Sequence, residues 1–119
     1  MIELLLPYPP STNRMWRNFR GRMVLSAEGR AYKSTVEQIA RQHGVTMING
    51  PIRVVYTLHP RLTKRGSASK TRIDLGNSEK VASDSLNGLA WQDDKQLIRI
   101  LLEVGEPRHG GGLTVTIGA

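Results

Sequence analysis

The sequence predicts a single α/β (α+β) domain spanning 1–119, in which a small mixed β-sheet packs against two main helices. Three observations carry that expectation. Short aliphatic and β-branched runs alternate with two stretches of helical periodicity, in the order β-(β)-α-β-α-β-β. A chain of 119 residues can bury one modest core but not two. Hydrophobic residues make up 39% and charged residues 23%, a globular balance with no apolar run long enough to cross a bilayer.

The elements follow in order. "IELLL" (2–6) reads as a buried strand, and "PYPP" ends it because consecutive prolines block both helix and central strand. Residues 7–21 show no periodicity, and "RMVLS" (22–26) is a short strand. Ser26 is placed as the N-cap of a helix through "AEGRAYKSTVEQIARQHG", with Ala31, Val36, Ile39 and Ala40 as its apolar stripe and Gly44 as its stop. "PIRVVYTLHP" (51–60) is a strand bounded by prolines, and "RLTKRGSASKTR" (61–72) a mobile basic loop. A second helix runs from about Asp74 to Asn87 and ends at Gly88. "QLIRILLEVG" (96–105) and "LTVTI" (113–117) are the last strands.

Charge separates the chain into two parts. Residues 1–73 hold 13 Lys/Arg against 3 Asp/Glu, whereas residues 74–119 hold 4 against 7. Such a clustered basic excess points to a polyanion, nucleic acid foremost. Arg14, Arg17, Arg20 and Arg22, interleaved with Trp16, are candidate phosphate contacts, as are Lys64, Arg65, Lys70 and Arg72 in the 61–72 loop. Trp91 is expected in the core, and the three scattered histidines have no ligand spacing. The absence of cysteine excludes disulfides and thiolate metal sites and fits a cytoplasmic setting. No basic leader precedes the short apolar run at the N-terminus, so no signal peptide and no membrane partner are expected.

The second helix carries the chemistry. At 100° per residue, Leu75, Ala82, Leu86 and Leu89 share the arc that faces the sheet. Gly76, Asn77, Lys80 and Asp84 share the opposite arc, with Asp74 at the helix entry. Two readings compete. In one, Asp74 is an ordinary N-cap and Lys80 pairs with Asp84 in solvent. In the other, Asp74 joins Asp93 or Asp94 of "WQDDKQ" as oxygen ligands of a hard divalent ion that promotes phosphodiester hydrolysis.

Two stretches tip the balance. "LPYPPSTNRMWRNFRGRMVLSAEGRAYK" (6–33) and "RIDLGNSEKVASDSLNGLAWQDDKQL" (72–97) resemble the RusA family of Holliday junction resolvases of bacteria and their prophages. The second is similar to that family's D-L-D-N-x-x-K…D-x-L…W-x-D-D block, and the likeness covers essentially the whole chain. The resemblance implies a homodimeric endonuclease dependent on Mg²⁺ (or Mn²⁺). Its substrate is four-way junction DNA, which it cuts by paired symmetric nicks in recombination and repair. It places Asp74 and Asp94 as metal ligands and catalytic residues, with Asp93 near or supporting. Lys80 becomes the motif lysine, and Asn77 the asparagine among the DNA contacts. One position departs: the motif's second aspartate falls on Gly76. The expectation is therefore a resolvase whose cutting is impaired at Gly76, or a non-catalytic branched-DNA-binding protein of the same fold.

Overall fold

The structure, a computed structural model, describes residues 1–118. Its strands are β1 (Ile2–Leu6), β2 (Trp16–Phe19), β3 (Arg22–Leu25), β4 (Ile52–His59), β5 (Leu97–Val104) and β6 (Gly112–Gly118). The helices are α1 (Thr12–Met15), α2 (Ala27–Gln42) and α3 (Leu75–Leu86), with one 3₁₀ turn at Asp94–Gln96. Four strands form a mixed sheet in the order β1-β6-β4-β5, antiparallel except for the parallel pair β4–β5. A parallel pair needs a crossover, and α3 lies within it.

Alternation along β4 shows which face the helices cover. Ile52, Val54, Tyr56 and Leu58 are buried, while Arg53 is exposed and Val55 and Thr57 are half-buried. The buried face joins Leu4, Leu6, Leu113, Val115 and Ile117 of the flanking strands to Val36 of α2 and Val81, Ala82 and Leu86 of α3. The sheet's other face lies open. No helix among the described residues is long and apolar enough to cross a membrane.

Two of the predicted helix faces shift. On α2, Tyr32 is buried and Ala31 exposed, because Tyr32 reaches across to donate to Pro7 O at 2.8 Å. On α3, Ala82 and Leu86 are buried as expected, whereas Leu75 and Leu89 are only half-buried and Ser78, Val81, Ser83 and Ser85 are buried in addition. Small hydroxyls fit there because each donates within reach, as Ser85 does to Val81 O at 2.8 Å.

The segment 7–21, read as aperiodic, holds α1 and β2. The latter pairs antiparallel with β3 as a separate two-stranded hairpin. Its turn uses positive φ at Arg20 (52°) and Gly21 (76°), the backbone of a tight primed turn. The 61–72 loop is also ordered by local bonds. Thr63 N donates to Ser67 O and Ser69 N to Arg61 O, each at 2.8 Å, and Leu62 bridges Ala68.

At the start of α2, Ser26 accepts from Gly29 N at 2.9 Å, and Ser26 N donates to Met15 O at 2.9 Å. This seats α2 directly on the end of α1. A Cβ on Gly29 would collide with the backbone carbonyl of Met15. Gly29→Ala is therefore expected to destabilise the fold by about 1–3 kcal/mol in urea unfolding, despite alanine's better helix propensity.

Candidate active site

Asp74 stands at the entrance of α3 as its N-cap, its Oδ1 accepting from Asn77 N at 2.7 Å. The capping reading thus holds, and it leaves the remaining carboxylate oxygen outside the cap bond. Immediately before it, Ile73 N donates to the Tyr8 hydroxyl at 2.6 Å, tying this entrance to the proline-rich turn after β1. Asn77 is turned inward: its Oδ1 accepts from Thr12 N at 2.7 Å and so clamps α1 to α3. That oxygen holds the scaffold, a task the sequence reading did not assign to it.

Gly76 is exposed in the first turn. A Cβ built there meets only Asp74 Oδ1, at 3.7 Å, which is ordinary contact. Its φ is not in the positive range, so the backbone does not call for glycine. A carboxylate at 76 would sit beside that of Asp74.

Asp94 opens the 3₁₀ turn that follows α3. Its Oδ1 accepts from Asn87 Nδ2 at 2.9 Å and from the buried Trp91 Nε1 at 3.0 Å, and Asn87 is the C-cap of α3. Twelve residues of helix separate the caps Asp74 and Asn87, so these two positions lie about 20 Å apart along the axis at 1.5 Å per residue. Asp93 caps the 3₁₀ turn, accepting from Lys95 N at 2.9 Å, while Gln96 reaches back to Asp93 N at 3.1 Å. Among the described residues, no group of three or more His, Cys, Asp and Glu is placed to hold a metal ion.

Between the two ends, α3 contributes Lys80 and Asp84 to a groove whose opposite wall is Trp16, Arg17, Asn18 and Met23 of the hairpin. A smaller recess continues from Asp84 to Asn87 and Lys33. Burial, and next the neighbouring Asp94, push the Asp84 carboxyl up from its ordinary value of 3.8, and Lys80 and Lys33 oppose the rise. Asp84 is thus a further acid of the site. Its signal in the sequence was its i,i+4 spacing from Lys80 and its place in the D-x-L segment, which solvent pairing alone seemed to explain. A raised carboxyl holds its proton in the folded chain longer than in the unfolded one, so its ionisation works against folding as pH rises above 3.8. The melting temperature of Asp84→Asn minus that of the parent is expected to become more positive from pH 3 to pH 7; a difference that stays flat or falls contradicts the assignment.

Beneath the groove, Ser83 Oγ donates to Glu79 Oε1 at 2.8 Å and is 2.7 Å from the Tyr56 hydroxyl, which must then be the donor of that pair. Burial pushes Tyr56 above its usual range, so it stays protonated. Glu79 is committed to this chain and does not replace the carboxylate missing at 76.

Of the basic candidates, Arg17 and Arg20 each lie 5.2 Å from the ring centre of Phe19 at the hairpin tip, and Arg22 closes the same turn. Arg14 is partly spent on Glu28 at 3.2 Å. Lys64, Arg65 and Lys70 are exposed on the 61–72 loop, and Arg72 bends back to donate to Ile73 O at 3.2 Å. Trp16 is half-buried against the core. His59 is buried and bridges Glu106 O and Thr114 Oγ1.

The family model Endodeoxyribonuclease RusA matches residues 7–118. The chain belongs to the RusA family. It is 34% identical over 97% of its length to the crossover junction endodeoxyribonuclease RusA of Shigella sonnei, and covers 92% of that relative. The same figures hold for the protein of that name in Escherichia coli K12, and the phage 82 relative is 33% identical. RusA membership is consistent with a divalent-metal requirement.

Proposed function

We propose that this chain binds four-way DNA junctions as a homodimer and resolves them by paired symmetric phosphodiester hydrolysis, in recombination and repair within the cytoplasm. The observation that carries the reading is the groove in which the arginine hairpin faces Lys80 and Asp84 of α3, in a RusA-family chain. The hairpin arginines and the 61–72 loop contact phosphates on the junction arms, and Lys80 contacts the scissile phosphate. With Lys64, Arg65 and Lys70 added to the arginines, binding is expected to weaken by about a thousandfold between 50 and 200 mM salt. A flat response in fluorescence anisotropy contradicts it.

The metal ligands are proposed to come from two protomers. Asp74 caps the start of α3, whereas Asp94 holds the side chain of Asn87 at its other end, and a two-fold dimer offers each acid a counterpart. The proposed ion is Mg²⁺ (or Mn²⁺), which when bound supplies water activation and neutralises charge on the transferring phosphate. Asp74 is oriented for this by Asn77 N–H, and Asp94 by Asn87 and Trp91. Asp93 supports Asp94 by capping its turn.

Gly76 favours a second reading, a branched-DNA-binding protein that cuts poorly or not at all. A synthetic junction and a linear duplex of the same sequence, with Mg²⁺, test the proposal. Preference for the junction with weak cutting is expected. Equal affinity for both substrates contradicts both readings and favours a small RNA- or ribosome-associated basic protein.

A further inference from the structure

The strand β5 forms one edge of the sheet, and its outer side has no neighbour. Gly105 N donates to Leu58 O, and Leu58 is in register with Val104. In a parallel pair that pattern turns the amides and carbonyls of 99, 101 and 103 toward β4, and those of 100, 102 and 104 outward. This eight-residue edge lacks proline and lysine, the usual guards against strand addition. It also exposes Ile98 (55%), Ile100 (41%), Leu101 (42%) and Val104 (44%). Its only charges are Arg99 and Glu103.

Those charges select a register. In an antiparallel pair, facing residues must both point toward or both away from the partner, so self-pairing can centre on Ile100, Leu101 or Leu102. Centring on Ile100 sets Glu103 against Leu97, and centring on Leu102 sets Arg99 against Gly105. Centring on Leu101 sets Arg99 against the partner's Glu103 twice over, Ile100 against Leu102, and Leu101 against itself. Arg99 is well placed for this. It lies beside Arg53 on β4 and joins neither of the two ion pairs found among the described residues. Glu103 is held on the same open face by Thr57, which donates to it at 2.8 Å.

We propose that β5 pairs antiparallel with β5 of a second copy of this chain, centred on Leu101, to form one eight-stranded sheet. The proposal deepens the homodimer reading above and rests on it. The two-fold axis of such a pair is perpendicular to the sheet, so both α3 helices lie on the same side and run in opposite directions. The Asp94 end of each then faces toward the Asp74 end of the other, the arrangement that ligands from two protomers require.

Analytical ultracentrifugation of the whole chain without DNA tests the surface. The parent and the double variant Arg99→Glu/Glu103→Arg are expected to be dimers. Either single variant, which sets like charges opposite each other, is expected to dissociate at least about tenfold more readily. These side chains are exposed, and circular dichroism confirms that each variant folds. The chain has no cysteine, so Leu101→Cys offers a second readout. The facing 101 pair is of the close, non-hydrogen-bonded kind, and mild oxidation is expected to link it into a covalent dimer. Leu5→Cys, exposed on the opposite edge strand β1, is expected to stay unlinked. A monomeric parent, single variants as tight as the parent, a double variant that fails to re-dimerise, or no more linkage at 101 than at 5 overturns the proposal. Neither readout uses DNA, so failure here is separate from failure of the junction assay.

Discussion

Replacing Gly76 with aspartate is expected to raise junction cleavage by about a hundredfold, the upper range seen when a supporting group of a metal site is restored. The structure accepts the change. The position is exposed, its backbone is ordinary, and the new Cβ meets only Asp74 Oδ1 at 3.7 Å. Glycine inside a helix is also locally unfavourable, and an acid in the first turn suits the positive end of the helix dipole. Against that gain stands repulsion between two adjacent carboxylates, which a divalent ion relieves. The variant should therefore carry a second signature: Mg²⁺ raises its melting temperature and leaves that of Gly76→Asn unmoved. Equal cleavage by the parent, Gly76→Asn and Gly76→Asp would show that position 76 is not the gap.

Trp91 supports the largest expected loss of stability. It is fully buried and among the bulkiest core side chains, and its indole N–H holds Asp94 Oδ1 at 3.0 Å. Trp91→Ala is expected to cost about 3–5 kcal/mol in denaturant unfolding, the range for emptying such a volume. Trp91→Phe separates packing from positioning, because it keeps most of the ring and removes the donor. In a Gly76→Asp background it is expected to lose far less stability but to weaken the dependence on Mg²⁺ by about tenfold to a hundredfold. Cleavage that falls only as far as stability falls would assign Trp91 to the core alone.

Most of the fold was legible because burial writes itself into periodicity. The sheet strands and both long helices lie within a residue or two of their expected bounds, and Ser26 and Asp74 cap as their side chains predict. What escaped was built by contacts rather than by pattern. The strand β2 is too short to show alternation, and Arg20 disguises a turn that usually announces itself through Asn-Gly. The apolar arc drawn for α3 missed Ser78 and Ser85, which are buried because their hydroxyls bond within the helix. The site behaved in the same way. Residue types and spacing singled out Asp74, Lys80 and Asp94, but spacing could not reveal that Asp74 caps the start of α3 while Asp94 holds Asn87 at its end. Asp84, read from spacing only as a solvent partner of Lys80, became a candidate acid when the fold set it near Asp94 and Lys33.

A mixing experiment bears most directly on a resolvase site shared by two protomers. In the Gly76→Asp background, one chain carries Asp74→Asn and the other Asp94→Asn, and both are assayed on a four-way junction with Mg²⁺. Each alone is expected to bind and not cut. Mixed and allowed to exchange subunits, they form a heterodimer in which one site has lost both acids and the other retains both. Nicking should therefore return, on one strand of the pair. If each chain holds its own complete site, every site in the mixture carries a lesion; a mixture that exchanges subunits, binds the junction and leaves it uncut would contradict the shared site.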